Sequence, residues 1–148
     1  MDVFQELLWD LGELVDLPLH VDKNNACKLL LNEKLAVQLE MDRDGERLLV
    51  ASFISEIPPG KFRENVLKDA LKVNSSYHPF GSFAYLEKNN QLILHQYLNT
   101  SDLSGEKLAK HLEVFIEEAE EWRAALASGA SAPIKYHSHE HKPPPFMK

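Results

Sequence analysis

The sequence predicts an α+β domain, in which a curved antiparallel sheet of five strands is combined with three helices in the order α-β-β-β-α-β-β-α. Two observations lead to this fold class. Apolar residues recur at helical spacing in three segments, and the stretches between these segments are short apolar runs bounded by turn residues. Because the strands follow one another along the chain, a meander with segregated helices is expected rather than a parallel sheet.

The first helix is predicted over residues 2–15. Its apolar residues recur at intervals of three and four, so they share one side of the helix. Pro18 ends the segment, because the residue before a proline avoids helical geometry. The apolar side consists of Phe4, Leu7, Leu8, Leu11 and Val15.

Three strands are predicted next, from the runs "CKLLLN", "LAVQLEMD" and "ERLLVASFIS". The second run alternates apolar and polar residues, so only one of its faces belongs to the core. The third run is apolar on both faces. Leu48, Val50 and Ile54 form one of these faces, and Leu49, Ala51 and Phe53 form the other.

A second helix is predicted over residues 61–73, and a hairpin follows over residues 83–98. The hairpin turns at Asn89 and Asn90, because asparagine tolerates the positive φ of a tight turn. Its second strand is again apolar on both faces. Leu92, Leu94 and Leu98 form one face, and Ile93, His95 and Tyr97 form the other. We expect His95 to be a packed, hydrogen-bonded histidine rather than a catalytic base.

A third helix is predicted over residues 103–127 and closes a domain that spans residues 1–127. Its N-cap is expected among three hydroxyl residues, and a cluster of four glutamates is expected on its solvent side. The candidate caps are Thr100, Ser101 and Ser104, and the glutamates are Glu117, Glu118, Glu120 and Glu121.

Residues 128–148 have no periodic pattern and are predicted to be a disordered tail rich in histidine and proline. His137, His139 and His141 alternate in this tail and are weak candidates for metal ligands, because imidazole binds zinc, copper and nickel. A metal-handling protein is therefore an alternative function. A functional metal site would also need supporting groups in fixed positions, which such a segment does not supply.

The composition narrows the classes of function. A formal net charge of −7 without a basic stripe disfavours binding to nucleic acid. No apolar run is long enough to cross a bilayer, and the acidic start lacks the basic region of a signal peptide, so the protein is expected in the cytoplasm. Cys27, the single cysteine, lies in an apolar run and is expected to be buried and inert.

Sequence motifs give no support for catalysis. The chain has no G-x-S-x-G, no Gly-rich phosphate loop and no H-E-x-x-H. We therefore predict neither an enzyme activity nor a cofactor. An enzyme whose residues meet only in the folded chain is a further alternative that no motif favours.

Apolar residues on both faces of the predicted sheet point instead to an interaction with another protein chain. Three helices do not easily cover both faces of five strands, and a large exposed apolar patch usually marks a contact with another chain. The spare face therefore predicts a partner subunit or a peptide client. The alternative is that curvature and longer helices close the core within one chain.

The order and spacing of these elements resemble the class I chaperones of bacterial type III secretion, the Tir-chaperone (CesT-like) family. The resemblance covers about residues 2–127 and is carried by six segments in sequence order. These are "LPLHVD", "CKLLLNEKLAVQLE", "ERLLVASFISEIPP", "LKDALKVN", "FGSFAYLEKNNQLILHQYL" and "LAKHLEVFIEEAEEWRAAL".

The resemblance implies a small acidic homodimer that binds the N-terminal segment of a secreted effector and keeps it competent for export without ATP. A component of the secretion apparatus is a further implied partner. The second helix and the strand after it would form the dimer interface, with Leu67, Leu71, Phe80, Phe83 and Tyr85. Apolar positions expected to face away from the core are candidates for effector binding, namely Leu8, Leu30, Leu49, Ala51 and Phe53.

Overall fold

The structure is a computed structural model that describes residues 2–31 and 33–136. The chain forms helix α1 (Val3–Val15), strands β1 (Ala26–Leu31), β2 (Leu35–Met41) and β3 (Arg47–Glu56), helix α2 (Lys61–Asn74), strands β4 (Ser82–Leu86) and β5 (Gln91–Asn99), and helix α3 (Gly105–Ala127). Short 3-10 helices span Glu87–Asn89 and Ile134–Tyr136. The predicted α+β class and order of elements are confirmed.

The five strands form one antiparallel sheet in the spatial order β1-β2-β3-β5-β4. Strands β1 and β4 are therefore its two edges. The hairpin between β4 and β5 turns where the sequence predicts, since Asn90 has a φ of 52°. Tyr85 donates a hydrogen bond from its hydroxyl to Oδ1 of Asn90 at 2.7 Å, which fixes the turn to the strand.

Helices α1 and α3 both begin at side-chain caps. Oδ1 of Asp2 accepts the Gln5 N–H at 2.8 Å, and the Asp2 N–H donates in return to the Gln5 side chain at 3.2 Å. At the start of α3, Oγ of Ser104 accepts the Lys107 N–H at 3.2 Å, so Ser104 is the cap among the three candidates. Each cap satisfies an N–H that the helix itself leaves unpaired.

The core lies between one face of the sheet and the helices α1 and α3, and Val66, Ala70 and Val73 of α2 belong to the same cluster. A Cβ atom on Gly105 would lie 2.5 Å from Cβ of Asp10, so glycine is needed where α3 starts beside α1. Buried apolar residues alternate along β2, β3 and β5, and each contributes about 1.5–3 kcal/mol by burial. They include Leu35, Val37, Leu39, Leu48, Val50, Ile54, Leu92, Leu94 and Leu98.

The prediction that Glu118 lies on the solvent side of α3 is wrong. Glu118 is one of the two buried polar residues in the described ranges. Its carboxylate accepts a hydrogen bond from Nε1 of Trp122 at 2.9 Å. The physical reason is helical periodicity: Glu118 follows Phe115 by three residues and precedes Trp122 by four, and both of these are buried. The neighbouring Glu117 is exposed as predicted.

Residues 128–136, which the sequence placed in the tail, pack against the domain. Ala132 is buried, and Oγ of Ser131 donates to Oδ2 of Asp69 in α2 at 2.5 Å. The packed structure therefore continues past the predicted boundary at residue 127, because small apolar residues and Tyr136 fit beside the end of α3. The predicted metal candidates His137, His139 and His141 lie outside the described residues.

Candidate functional site

The face of the sheet that is turned away from α1 and α3 carries a band of apolar side chains. Alternation along the strands places these residues together, and every one of them keeps some contact with solvent. We call this surface the outer face. Its members are Leu30, Leu49, Ala51, Phe53, Ile93, His95 and Tyr97.

Cross-strand pairing makes the outer face continuous across β3 and β5. Phe53 is paired with Ile93, and Leu49 is paired with Tyr97. Directly opposed residues have Cβ atoms about 5 Å apart, so each pair forms one apolar contact surface. The outer face is therefore a connected patch, and the two faces of apolar residues that the sequence predicts for β3 and β5 are both present.

One end of the outer face is rimmed by charge. The guanidinium of Arg47 lies 4.4 Å from the centre of the Tyr97 ring, and its Nε is 3.0 Å from Oδ2 of Asp42. The Asp42 carboxylate thus orients Arg47 over the ring. One face of the Tyr97 ring is therefore in contact with a cation. A polar rim around an apolar centre is the usual composition of a protein-binding surface.

His95 lies inside the outer face, paired with Ala51 on β3 and Ser82 on β4. Burial lowers the pKa of its imidazole below the ordinary value, so the neutral ring is favoured near pH 7. The hydrogen bond predicted for this ring is not found among residues 2–31 and 33–136. In its neutral form the ring adds no charge to the patch.

Leu30 stands apart from the other members because it belongs to the edge strand β1. Its side chain is 64% exposed, next to Ala36 on β2. Among the residues predicted to bind an effector, Leu30, Leu49, Ala51 and Phe53 therefore share one face of the sheet.

Leu8, the fifth predicted effector-binding residue, does not face away from the core. It lies on the buried side of α1. It contributes an apolar wall to a groove of about 360 Å³ between α1 and the chain that follows it, beside Trp9 and Leu17. Trp9 is 61% exposed and was not predicted. The sequence holds a signal for it, because Trp9 falls outside the apolar stripe of α1 and so cannot be a core residue of that helix.

The residues predicted for a dimer interface fall into two groups. Leu71 is 68% exposed on α2, whereas Phe83 is 5% exposed and packs on Trp122 with ring centres 4.4 Å apart. Phe80 is buried like Phe83, and Leu67 and Tyr85 are half-buried. A further aromatic residue, Tyr77, is exposed just after α2 and borders a pocket of about 510 Å³ that reaches His95 and Tyr97 of the outer face.

The described residues hold no group of three or more His, Cys, Asp and Glu side chains that could bind a metal ion. Cys27 is buried, as predicted, and this burial raises the pKa of its thiol, which disfavours the reactive thiolate. Within the same part of the chain, no helix is long and apolar enough to cross a membrane. The exposed apolar side chains of the outer face form the candidate binding surface.

Residues 6–123 match the Tir chaperone protein (CesT) family. This match covers most of the described chain. Among proteins with curated functions, no sequence matches significantly.

Solved structures give further similarities. The structure described as "Crystal Structure of the ExsC-ExsE Complex" has 25% sequence identity and a TM-score of 0.69, over 85% of this chain and 97% of that chain. A chain of the HopA1-SchA chaperone-effector complex has 23% identity and a TM-score of 0.65, over 83% and 94%. The Yersinia pestis type III secretion chaperone SycH, solved with a fragment of YscM2, has 16% identity and a TM-score of 0.61, over 79% and 97%. The HopA1-SchA and SycH structures, at 23% and 16% identity, show a similarity of fold alone.

Proposed function

The chain belongs to the Tir chaperone protein (CesT) family, and we propose that it works as a homodimer that binds the N-terminal region of type III secreted effectors. It keeps these effectors soluble and competent for secretion without ATP. The family is one of type III secretion chaperones rather than enzymes. The observation that carries the proposal is the outer face, a connected apolar patch on a chain of this family.

The outer face is the proposed client surface. An effector segment with alternating apolar residues exchanges water for contact with Leu49, Phe53 and their cross-strand partners. Each Å² of apolar area removed from water contributes about 25 cal/mol, less the entropy lost when the segment becomes ordered. Binding alone supplies this free energy, so no nucleotide is required.

Leu30 and the groove beside Trp9 extend the proposed client surface beyond the centre of the sheet. Leu30 offers an exposed apolar side chain at the β1 edge, and Trp9 offers a large aromatic surface on α1. Large aromatic residues supply much of the binding energy at protein interfaces. A client that wraps around the domain contacts more than one of these places.

The second copy of the chain is proposed to meet α2 and the segment that follows it. Leu71 and Tyr77 are the exposed apolar residues there, and Leu67 is half-buried beside them. Phe80 and Phe83 support this surface from within the protomer, because both are buried. The acidic net charge of −7 favours solubility of the loaded dimer in the bacterial cytoplasm, where we place the protein.

The test of this function is capture of the chain from its native cytoplasm, with identification of the bound protein by mass spectrometry. We expect a secreted effector, and limited proteolysis of the complex should leave its N-terminal region protected. The variant Phe53→Asp places a charge in the outer face and should release the client. The control is Val114→Asp, which changes an exposed apolar residue on α3. Equal retention of client by both variants would contradict the outer face as the client surface.

A further inference from the structure

The chain reverses its direction directly after α3. Gly129 has a φ of 91° and ends the helix in a Schellman motif. In this motif the Gly129 N–H donates to the Leu126 C=O at 3.1 Å, and the Ala130 N–H donates to the Ala125 C=O at 3.0 Å. The reversal brings residues 129–136 back onto the domain, and we call this segment the strap.

The strap joins α3 to α2. Oγ of Ser131 donates to Oδ2 of Asp69 in α2 at 2.5 Å. The next two residues, Ala132 and Pro133, are buried, and Ala132 is 1% exposed. Movement of α2 away from α3 would break the hydrogen bond and expose these apolar atoms to water, so the strap restrains α2.

The far end of the strap is anchored on α3. Lys135 and Tyr136 both hydrogen-bond to the buried carboxylate of Glu118, and the Tyr136 ring packs on Trp122. Ile134, in the same segment, is 83% exposed. The strap therefore has an inner side, which contacts the two helices, and an outer side, which faces solvent.

The strap reaches α2 on the flank opposite the exposed leucine of that helix. The residues that α2 turns toward the core are Val66, Ala70 and Val73. Because each residue rotates the helix by about 100°, Asp69 lies to one side of this buried line, and Leu67 and Leu71 lie to the other. A second copy at the leucines and the strap at Asp69 therefore use different surfaces of α2.

Both ends of α2 are tied to the rest of the domain by side chains. Near its start, Nε and Nη2 of Arg63 donate to the Ile57 C=O at 3.0 and 2.6 Å. At its end, the Asn74 side chain accepts the Phe83 N–H and donates to the Phe83 C=O, both at 2.8 Å. The strap adds a contact between these two ends, at Asp69.

The strap lies outside residues 6–123, the part of the chain that matches the CesT family. It therefore adds contacts to α2 that the matched part of the chain does not contain.

We propose that the strap and a second copy of the chain hold α2 from opposite flanks, so that docking of the strap and dimerisation strengthen each other. The position of the second copy at Leu67 and Leu71 rests on the proposed function. The hold of the strap on α2 does not, because its contacts lie within one protomer. The coupling arises because α2 must be ordered before it can match a second copy, and each contact lowers the entropy cost of the other.

The first experiment measures hydrogen exchange of single backbone amides by NMR, with Leu71→Asp in every chain so that no second copy covers α2. Ala132→Asp places a charge at a buried position of the strap and should displace it. We expect the Ala70 and Val73 amides to exchange roughly ten-fold faster in this variant, because the contacts of the strap with α2 are lost. Ile134→Asp, an exposed change in the same strap, is the matched control and should leave these rates unchanged. Equal rates in the two variants would overturn the proposal.

A local effect on α2 is distinguished from a global loss of stability by the Val50 amide, which lies in the middle strand of the sheet. Its exchange rate should rise less than the rates in α2. If Ala132→Asp does not fold, Ser131→Ala removes the hydrogen bond to Asp69 alone and must still speed exchange in α2. Unchanged rates in a folded Ser131→Ala chain would overturn the proposal.

The second experiment measures the dissociation constant of the dimer by sedimentation, with Leu71 restored. Ala132→Asp should raise this constant about ten-fold, a usual size for coupling between two sites, and Ile134→Asp should leave it unchanged. An unchanged constant in Ala132→Asp would overturn the coupling, and a raised constant in Ile134→Asp would overturn the placement of the strap away from the second copy. A wild type with the protomer mass at every concentration would contradict the proposed homodimer and the coupling together. In that case the exchange rates in α2 would still show whether the strap holds this helix.

Discussion

Nζ of Lys135 lies 2.6 Å from Oε1 of Glu118, whose side chain is almost completely buried on α3. The same carboxylate accepts hydrogen bonds from Nε1 of Trp122 and from the hydroxyl of Tyr136. Lys135 also reaches Oε2 of Glu121 at 2.7 Å. A buried carboxylate is tolerated when it is paired and hydrogen-bonded in this way, so the segment around residue 135 is part of the fold.

Removal of Glu118 should destabilise the protein more than removal of its exposed neighbour. Glu118→Ala leaves Trp122, Lys135 and Tyr136 without their shared acceptor, and we expect a loss of about 3 kcal/mol in the free energy of unfolding. Urea denaturation measures it. Glu117→Ala changes an exposed residue on the same helix and should alter stability by less than about 0.5 kcal/mol. Equal effects of the two substitutions would show that the buried network is not a source of stability.

The end of the chain can be tested by truncation. The Tyr136 ring covers part of Trp122, because the centres of the two rings lie 5.6 Å apart. A chain that stops after Ser128 loses this contact, whereas a chain that stops after Tyr136 keeps it. With Trp9→Phe in both chains, Trp122 is the remaining tryptophan. We expect its fluorescence to shift to longer wavelength only in the shorter chain. Identical spectra for the two chains would be inconsistent with packing of residues 129–136.

Stability should depend on pH through His95. Burial lowers the pKa of this imidazole in the folded state, so the unfolded chain binds more protons between the folded pKa and the ordinary value of about 6.5. Stability therefore rises with pH through this window and is lost as the pH falls through it. We expect His95→Gln to remove this part of the pH dependence in urea denaturation between pH 5 and 7.5. A wild-type stability that falls as pH increases over that range would contradict this assignment.

The sequence was sufficient to predict the elements of the fold because most of them carry a strong period. Both faces of β3 and β5 are apolar, and that property alone indicated a surface for another chain. Glu118 was misassigned because four neighbouring glutamates suggest a solvated run, although its spacing from Phe115 and Trp122 places it on the buried side. The contact between Asn74 and Phe83 has no signal in the sequence, because it joins a helix end to a strand edge that become neighbours only in the folded chain.

Dimerisation should depend on Leu71 and not on exposed leucines elsewhere. We expect the wild type to have twice the 16.9 kDa protomer mass in solution, and Leu71→Asp to have the protomer mass with an unchanged circular dichroism spectrum. An aspartate at this exposed position costs the protomer little but places an unpaired charge in the proposed interface. Leu14→Asp is the matched control, since Leu14 is an exposed leucine on α1.

Phe83→Asp distinguishes an interface effect from a folding effect. Phe83 is buried against Trp122 within the protomer, so an aspartate there should unfold the chain rather than separate two folded copies. The two substitutions must therefore differ, with Leu71→Asp giving folded protomers and Phe83→Asp giving loss of the thermal transition. The proposed interface at α2 would be contradicted by a wild type with the protomer mass at micromolar concentration. A Leu71→Asp variant that stays dimeric would contradict it as well. In that case the exposed Leu71 and Tyr77 would need another partner.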